Sequence, residues 1–442
     1  MSKLQLTILA GALGVVAALI FAAPMTRGVA STDTYRQLNL FGDVFERVKN
    51  DYVREVPDNE LIENALNGML ASLDPHSSYM NPKEFSDMQV QTRGEFGGLG
   101  LEVTMQDGLV KVISPMDGTP AARAGIKTGD LISTIDGQTI QGMTLSDAVD
   151  KMRGPPNTQV RITIIRKGDK KPLELTLTRE VVQVDSVRFR ADNDIAYIRM
   201  TVFSEKAQEG LERAVDQAKK QIGSRLRGVV LDLRNNPGGL LDQAISVSSA
   251  FINHGEIVST RGRKASDIQR YNATGKELLP GVPMIVLINE GSASASEIVA
   301  GALQDYKRAR LVGMRSFGKG SVQTVIPLSG GTDGALRLTT AKYYTPSGRS
   351  IQATGIDPDI EVQQTAETPP PPDPRDIRSE ASLRNHLEDE GAQAKPRAGP
   401  VVKPKPGEKF DDFQLTYAER LLRGQEVVSM STTATPAPSR QK

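Results

Sequence analysis

From Asp194 onward, short β-branched apolar runs alternate with longer segments of helical period, and this alternation narrows the fold more than any other feature of the chain. Strands are expected over 195–202, 228–233 and 283–288, and helices over 205–222, 240–252 and 296–306. Such an order needs helices packed against a sheet, which makes this part an α/β unit. Strand-rich sequence follows from Leu311 to Tyr344. The unit is expected to span 185–362, enough chain for an ample core.

Upstream, 95–180 has a different grain. Glycine-led Gly98-Leu99-Gly100-Leu101-Glu102-Val103 opens a set of short strands. Two short helices interrupt them, one opened by Thr119-Pro120 and one capped by Thr144 with Leu145, Ala148, Val149 and Met152 on one face. Asp136-Gly137 marks a hairpin turn. This order of strands, helices and Ala-Gly-Ile and Gly-Asp-Leu-Ile turns resembles a PDZ domain. A groove is expected between the Gly98 strand and the Thr144 helix, lined by Leu99, Gly100, Leu101, Val103, Leu145 and Val149. An extended peptide could add there as a strand, its terminal carboxylate held by the amides of Leu99, Gly100 and Leu101.

The two ends differ from the body. Residues 1–30 carry Lys3, an uncharged apolar run over 4–23 and small residues at Gly28-Val29-Ala30. This is the pattern of an export signal, and the run is also long enough to be kept as a membrane anchor. The protein is therefore expected to be exported and to work in the periplasm, either free or held at the inner membrane. Residues 33–85 read as an N-terminal helical region, with Leu38, Phe41, Val44, Phe45, Val48 and Tyr52 at helical spacing. Asp74-Pro75-His76 breaks the helix, and His76 reads as a turn or packing residue. Residues 363–408 are rich in proline, with Pro369 to Pro372 in succession, and read as a disordered linker. A terminal helix is expected within 409–425, with Phe413, Tyr417 and Leu421 on one face, docked on its own body or on a second copy.

Composition removes several chemistries. The chain has no cysteine, so disulfides, thiolate nucleophiles and cysteine metal sites are excluded. Its histidines are His76, His254 and His386 alone, too few for a histidine-rich metal centre, and no metal or cofactor is expected. A net charge of +1 argues against a broad nucleic-acid footprint.

Three glycine-marked turns follow strands of the α/β unit: Arg234 to Gly239, Asn289 to Glu297, and Ser316 to Gly320. A serine at a strand-to-helix turn meets solvent beside helix N-terminal amides, where an oxyanion can be stabilised. Helix capping by Ser294 or Ser296, with Glu297 in the first turn, would explain such a serine without catalysis. The isolated Lys319 between two glycines favours chemistry. A free lysine, with a pKa of ~10.4, is neutral in only about one molecule in a thousand near pH 7.4. Lowering that pKa by about three units takes ~4 kcal/mol of desolvation, which an apolar pocket can supply. Ser316-Phe317-Gly318-Lys319 also fits the S-x-x-K pattern of penicillin-binding enzymes, with Lys127-Thr128-Gly129 as a K-T-G. The two motifs run in the reverse of that family's order, and no helix is expected to follow Ser316.

In combination, Gly291 to Glu297, Arg234 to Gly239, Phe317 to Gln323 and the PDZ-like module resemble the carboxy-terminal processing peptidases, also called tail-specific proteases. The similarity runs from about Leu40 to Ile360. The resemblance implies a multidomain α/β protein whose PDZ domain is inserted before or within a ClpP- or crotonase-like core. It implies Ser294 as nucleophile, Lys319 as base and Gln323 as the residue that orients the lysine. The oxyanion donors it implies are Ala295 and an amide of the Gly238-Gly239 turn. Arg153, after the PDZ helix, would couple peptide occupancy to the active site. Expected partners are protein or peptide substrates with accessible C-termini and a second copy of the chain through the N-terminal and terminal helices, with an adaptor protein left open. Two other readings stay open at this point: a non-catalytic PDZ scaffold, and an acyl-transfer enzyme built on Ser316.

Overall fold

The computed structural model describes residues 32–116, 118–366, 379–388, 401–405, 407–425 and 430–431. The expected export segment 1–30 lies outside them. Among the described residues no helix is long and apolar enough to cross a membrane. They form two units that divide after Leu66. The first holds helix α1 (Thr32–Asp51) and most of α2 (Asp58–Ala71). On α1 the periodic residues Leu38, Phe41, Val44 and Val48 are exposed, so the helical period is present without a covering layer.

In the second unit, strand Ser78–Met80 and helix α3 (Pro82–Arg93) precede the β-rich module. Asn81 caps α3 through a capping box with Glu84. Sequence periodicity did not mark this helix, because its sequence is mostly polar and only Phe85 is buried. The module's sheet joins Leu101–Gln106, Leu109–Pro115, Leu131–Ile135, Gln159–Ile165 and Leu173–Thr178 in antiparallel order. Its second helix, α4 (Leu145–Met152), is capped by Thr144. Glu95–Gly98 belongs to a separate two-stranded ladder with Glu180–Gln183, at the point where the chain enters and leaves the module.

The α/β core is built on a sheet in the order β1 (Val187–Asp192), β2 (Ile195–Met200), β3 (Gly228–Asp232), β4 (Met284–Ile288), β5 (Arg310–Gly313) and a short strand at Ile360–Glu361. The β1–β2 pair is antiparallel and every other pair is parallel. Strands β3 and β4 are buried along their whole length, which is why they read as unbroken apolar runs. Alternate residues serve the two faces. Val229, Leu231, Val286 and Ile288 pack with α5 (Ala207–Gln221), α6 (Leu241–Ser249) and α7 (Ala295–Asp305). Val230, Ile285, Leu287 and Val312 pack with Phe413, Leu415 and Tyr417 of α8 (Phe413–Leu422).

A second sheet has the order Ser78–Met80, Ala335–Tyr344, Glu256–Gly262, Gln269–Asn272, with Ser321–Pro327 also paired to Ala335–Tyr344. Because Ser78–Met80 pairs with Ala335–Arg337, the chain contributes to the core before it enters the β-rich module. That module is thus inserted within the core.

In the C-terminal region the terminal helix takes the first of its two expected positions, on its own body, and the expected linker departs from expectation. The apolar face of α8 is spent on the chain's own sheet, so it is not free to pair two copies. Residues 379–388, inside the expected disordered linker, are packed: Glu380 has no exposed surface, and its N–H donates to the Phe317 carbonyl at 2.9 Å. A composition reading misses this, since proline and charge dominate the average and one buried glutamate does not alter it. The remainder of that linker is described only at 363–366, 401–405 and 407–408.

Candidate active site

The three glycine-marked turns lie at the C-terminal ends of the adjacent parallel strands β3, β4 and β5, where open α/β sheets place their sites. They are stitched together. Asn235 N–H donates to Asn289 Oδ1 and Asn289 Nδ2 returns to Asn235 Oδ1, at 2.8 and 2.9 Å. Ser292 Oγ donates to the Leu233 carbonyl, and Phe317 N–H donates to the Ser292 carbonyl. The Asn236 carbonyl accepts from Ala293 N–H and Ser296 Oγ.

Ser294 stands at the N-terminus of α7 with φ 53° and ψ −113°, a conformation that costs a non-glycine residue of order 1–3 kcal/mol. Strain of this kind at a strand–helix turn lifts a side chain clear of the backbone. Glu297 holds the turn in place. This carboxylate is fully buried among the otherwise apolar or small residues 295–303 of α7, and it accepts four hydrogen bonds. Two come from Ser294 N–H and Lys319 N–H to Oε2, at 2.8 and 2.9 Å. Two come from Gly318 N–H and Ser316 Oγ to Oε1, at 2.7 and 2.5 Å. Burial pushes its pKa up to about 7, against the pull of those donors. In the sequence Glu297 reads only as a capping acid; the surviving signal is an acid within the otherwise apolar or small run 295–303.

Lys319 is partly buried, and its pKa lies below the ordinary lysine value, first because of burial and then because of the Arg337 charge. Among the described residues no hydrogen bond joins Lys319 Nζ to Ser294 Oγ; what the structure secures is the backbone of both. Gln323 donates from Nε2 to Ser321 Oγ and Thr339 Oγ1, at 3.0 and 3.2 Å, and does not bond to Lys319. Thr339 Oγ1 in turn donates to Asp74, which also receives Ser77 Oγ.

Gly238 lies against the Ser294 turn. A Cβ there would sit 2.7 Å from the Ala293 carbonyl oxygen and 2.9 Å from Ala295 N, with φ at +101°. Its own N–H is taken by Asn236 Oδ1 at 2.9 Å. The bridge between Phe203 and Gly239 runs through Phe203 N–H to Gly238 O and Leu240 N–H to Phe203 O, so it does not use the Gly239 N–H. Ser316 has only 3% of its surface exposed, and its Oγ donates to Glu297 and accepts from Ile356 N–H at 2.7 Å. A hydroxyl held this way is an anchor, which removes the geometric basis for an acyl-transfer centre at Ser316.

In the PDZ module Leu99, Gly100, Leu101, Val103 and Val149 line one narrow cleft with Phe96, Met152 and Arg153. Leu145, on the same helix as Val149, is half-buried and packs against the module's core, as do Leu101, Val103 and Val149. The Arg153 guanidinium lies 4.6 Å from the Phe96 ring centroid, and its Nε is buried without a hydrogen-bond partner. A larger cavity of about 460 Å³ is lined by Arg199, Arg234, Asn235, Asn289, Glu290 and Asp412 among others. It contains neither Ser294 nor Lys319. No group of histidine, aspartate and glutamate that could hold a metal is found among the described residues.

Residues 194–362 match the model of Peptidase family S41, residues 111–166 that of a PDZ domain, and residues 22–84 that of the activating protease CtpB N-terminal domain. A carboxy-terminal-processing protease of Bartonella bacilliformis is 53% identical over 89% of this chain and 90% of its own. A probable CtpA-like serine protease of Staphylococcus aureus is 36% identical over 80% of this chain and 71% of its own. Among solved structures, a photosystem II D1 C-terminal processing protease is 31% identical, over 73% of this chain and 92% of that one, with a TM-score of 0.41. The chain therefore belongs to the carboxy-terminal processing peptidases, proteases of family S41 that carry a PDZ domain.

Proposed function

We propose that the protein is a serine endopeptidase that captures the C-terminus of a substrate protein in its PDZ cleft and cleaves the adjacent chain with Ser294 and Lys319. The observation that carries this reading is the single oxygen of Glu297 that receives the backbone N–H of both residues. In the reaction, neutral Lys319 Nζ takes the Ser294 hydroxyl proton as Oγ adds to the scissile carbonyl. The ammonium then returns the proton to the leaving amine. Water, deprotonated by the same lysine, then adds to the acyl carbonyl; the bond to Oγ breaks, the ammonium returns its proton to Ser294 Oγ, and the acyl half leaves as a carboxylate. A rotation of the two side chains brings Nζ to Oγ, as catalytic contacts in free enzymes tighten on substrate binding. Gln323, its Nε2 occupied by Ser321 and Thr339, keeps its carbonyl end for the Lys319 ammonium. Ala295 and Gly239 supply the oxyanion donors, since the Gly238 N–H is already used.

In the PDZ cleft the amides of Leu99, Gly100 and Leu101 receive the terminal carboxylate, and the unpaired Nε of Arg153 offers it a charged donor. That same arginine, stacked on Phe96 beside the ladder leading to the core, links occupancy to the active site. Suitable substrates have loosely folded tails. Residues 4–23 direct export and hold or release the chain at the inner membrane, and the exposed face of α1 pairs two copies.

The test is cleavage of an unfolded protein with an apolar C-terminus. Ser294→Ala and Lys319→Ala should each abolish it while leaving peptide binding intact, and a serine-reactive phosphonate should label Ser294 and not Ser316. Cleavage that survives either alanine variant sinks the dyad. Mass spectrometry of the mature N-terminus decides between release and retention of residues 4–23.

A further inference from the structure

The segment 379–388 lies beyond the residues matched by the peptidase-family model, yet it reaches the centre of the site. Glu380 is buried, with its carboxylate 2.8 Å from His76 Nε2 and accepting from Gln352 Nε2 at 3.0 Å. Its N–H donates to the Phe317 carbonyl at 2.9 Å. Gln352 continues the path: its Oε1 accepts Gly320 N–H at 3.0 Å, and its Nε2 also donates to the Leu387 carbonyl. Lys319 therefore sits between two residues, Phe317 and Gly320, that are tied to this segment directly or through one side chain. Further along, Asn385 Nδ2 donates to the Ala71 carbonyl and Lys342 Nζ to the Glu388 carbonyl, at 3.2 and 2.7 Å.

Burying a carboxylate costs several kcal/mol unless partners compensate for its lost hydration. A polar stretch has no packing reason to bury one, and Glu380 brings little apolar surface with it. What it does supply is a hold on the Lys319 loop opposite the one Glu297 provides, together with a negative charge near the ammonium.

We propose that residues 379–388 form a strap that completes the catalytic site, with Glu380 as a positioning residue for Lys319. The proposal rests on reading Lys319 as the base. With the strap seated, the loop from Phe317 to Gly320 is clamped from both sides and the lysine is presented to Ser294. With the strap displaced, one clamp is lost and proteolysis slows. The charge acts as well: Glu380 favours the charged lysine, as do Glu297 and Asp74, while burial and Arg337 oppose it.

The test uses the full chain with Glu380→Ala and the near-isosteric Glu380→Gln, on a fluorogenic peptide with a free C-terminus. Glu380→Ala should lower kcat by roughly tenfold to a hundredfold, the cost of a misplaced catalytic group, with KM changed by less than about twofold. Amide hydrogen exchange over 316–321 should quicken. Glu380→Gln keeps an acceptor for Gln352 and should retain most of kcat. With the negative charge gone, its rising pH limb should move down by roughly half to one unit. A glutamate whose charge is not felt by the lysine would not shift that limb. Wild-type exchange over 316–321 in Glu380→Ala, or an unmoved limb in Glu380→Gln, overturns the proposal. Quickened exchange in a protein whose Lys319→Ala variant still cleaves would instead discard the lysine as base and leave the strap's hold on the loop standing.

Discussion

Ser294 and Lys319 donate their backbone N–H groups to one atom, Glu297 Oε2, at 2.8 and 2.9 Å. Two residues separated by a helix and a strand are thus registered against each other by a third that never needs to touch substrate. The other oxygen takes Gly318 N–H and Ser316 Oγ, so the carboxylate faces donors on all sides.

That arrangement makes Glu297→Gln a severe substitution. Either orientation of the amide points an NH2 group at hydrogen-bond donors, and each unmatched buried donor costs about 1–3 kcal/mol. Cleavage should fall by about a hundredfold or more and the melting temperature should drop by several degrees. Peptide cleavage and calorimetry on one preparation check both, and a variant with wild-type values would remove Glu297 from the site.

The pH dependence of kcat follows from Lys319. The base acts when neutral, so activity rises as pH passes upward through its pKa, which burial and then Arg337 hold below the ordinary lysine value of 10.5. The rising limb should therefore lie below 10.5. Arg337→Gln removes a positive charge that disfavours the ammonium, so its limb should move to higher pH. A limb unmoved by that change would show that another group is being titrated.

Arg234, on the turn that leads to Gly238, binds Asp232 and also Asp412 at the N-cap of α8, with Nη2 to Asp412 Oδ2 at 2.6 Å. Burial alone would raise Asp412, but the Arg234 hydrogen bonds and charge outweigh it and hold its pKa below the usual 3.8. A depressed carboxyl stabilises the fold above its unfolded value and loses that contribution as pH falls through the folded one. Asp412→Ala should cost about 2 kcal/mol at pH 7. The gap to wild type should close below about pH 4. Thermal unfolding across pH measures it.

At the PDZ cleft, a substrate-tail peptide with a free carboxylate should bind about tenfold or more tighter than its C-terminal amide. Arg153→Gln should weaken the acid and barely affect the amide. Equal affinities for the two peptides, measured calorimetrically with wild type, would exclude a carboxylate nest at Leu99, Gly100 and Leu101.

A substitution at Gly238 tests the oxyanion side. Gly238→Ala places a Cβ against the Ala293 carbonyl and Ala295 N, at a φ of +101°. Activity should fall well beyond the loss of stability, and phosphonate labelling of Ser294 should slow in step. Normal labelling would place the oxyanion donors elsewhere.

Local patterns in the chain already carried the alternation of strands and helices, the glycine turns at strand ends and the isolated lysine, since each depends on neighbours a few residues apart. Helix α3 escaped notice because a polar helix that buries one phenylalanine leaves no apolar period. Leu145 and Val149 share one face of α4, and both pack against the module's core as partly buried side chains. Gln352 and Glu380 lie outside the three glycine-marked turns, so nothing local joined them to Glu297 in one site.

The sequence alone therefore marked a PDZ-like module and an α/β unit, most of their elements, and side chains of the kind that acid–base and nucleophilic chemistry needs. The tertiary structure decided which of them meet: that Ser316 is an anchor, that Gly238 spends its amide on Asn236, that α8 covers its own sheet, and that a polar stretch buries Glu380 beside Lys319. The physical reason is that side-chain propensity and periodicity are local quantities. Burial of a charge and the sharing of one acceptor by distant donors depend instead on how the whole chain closes.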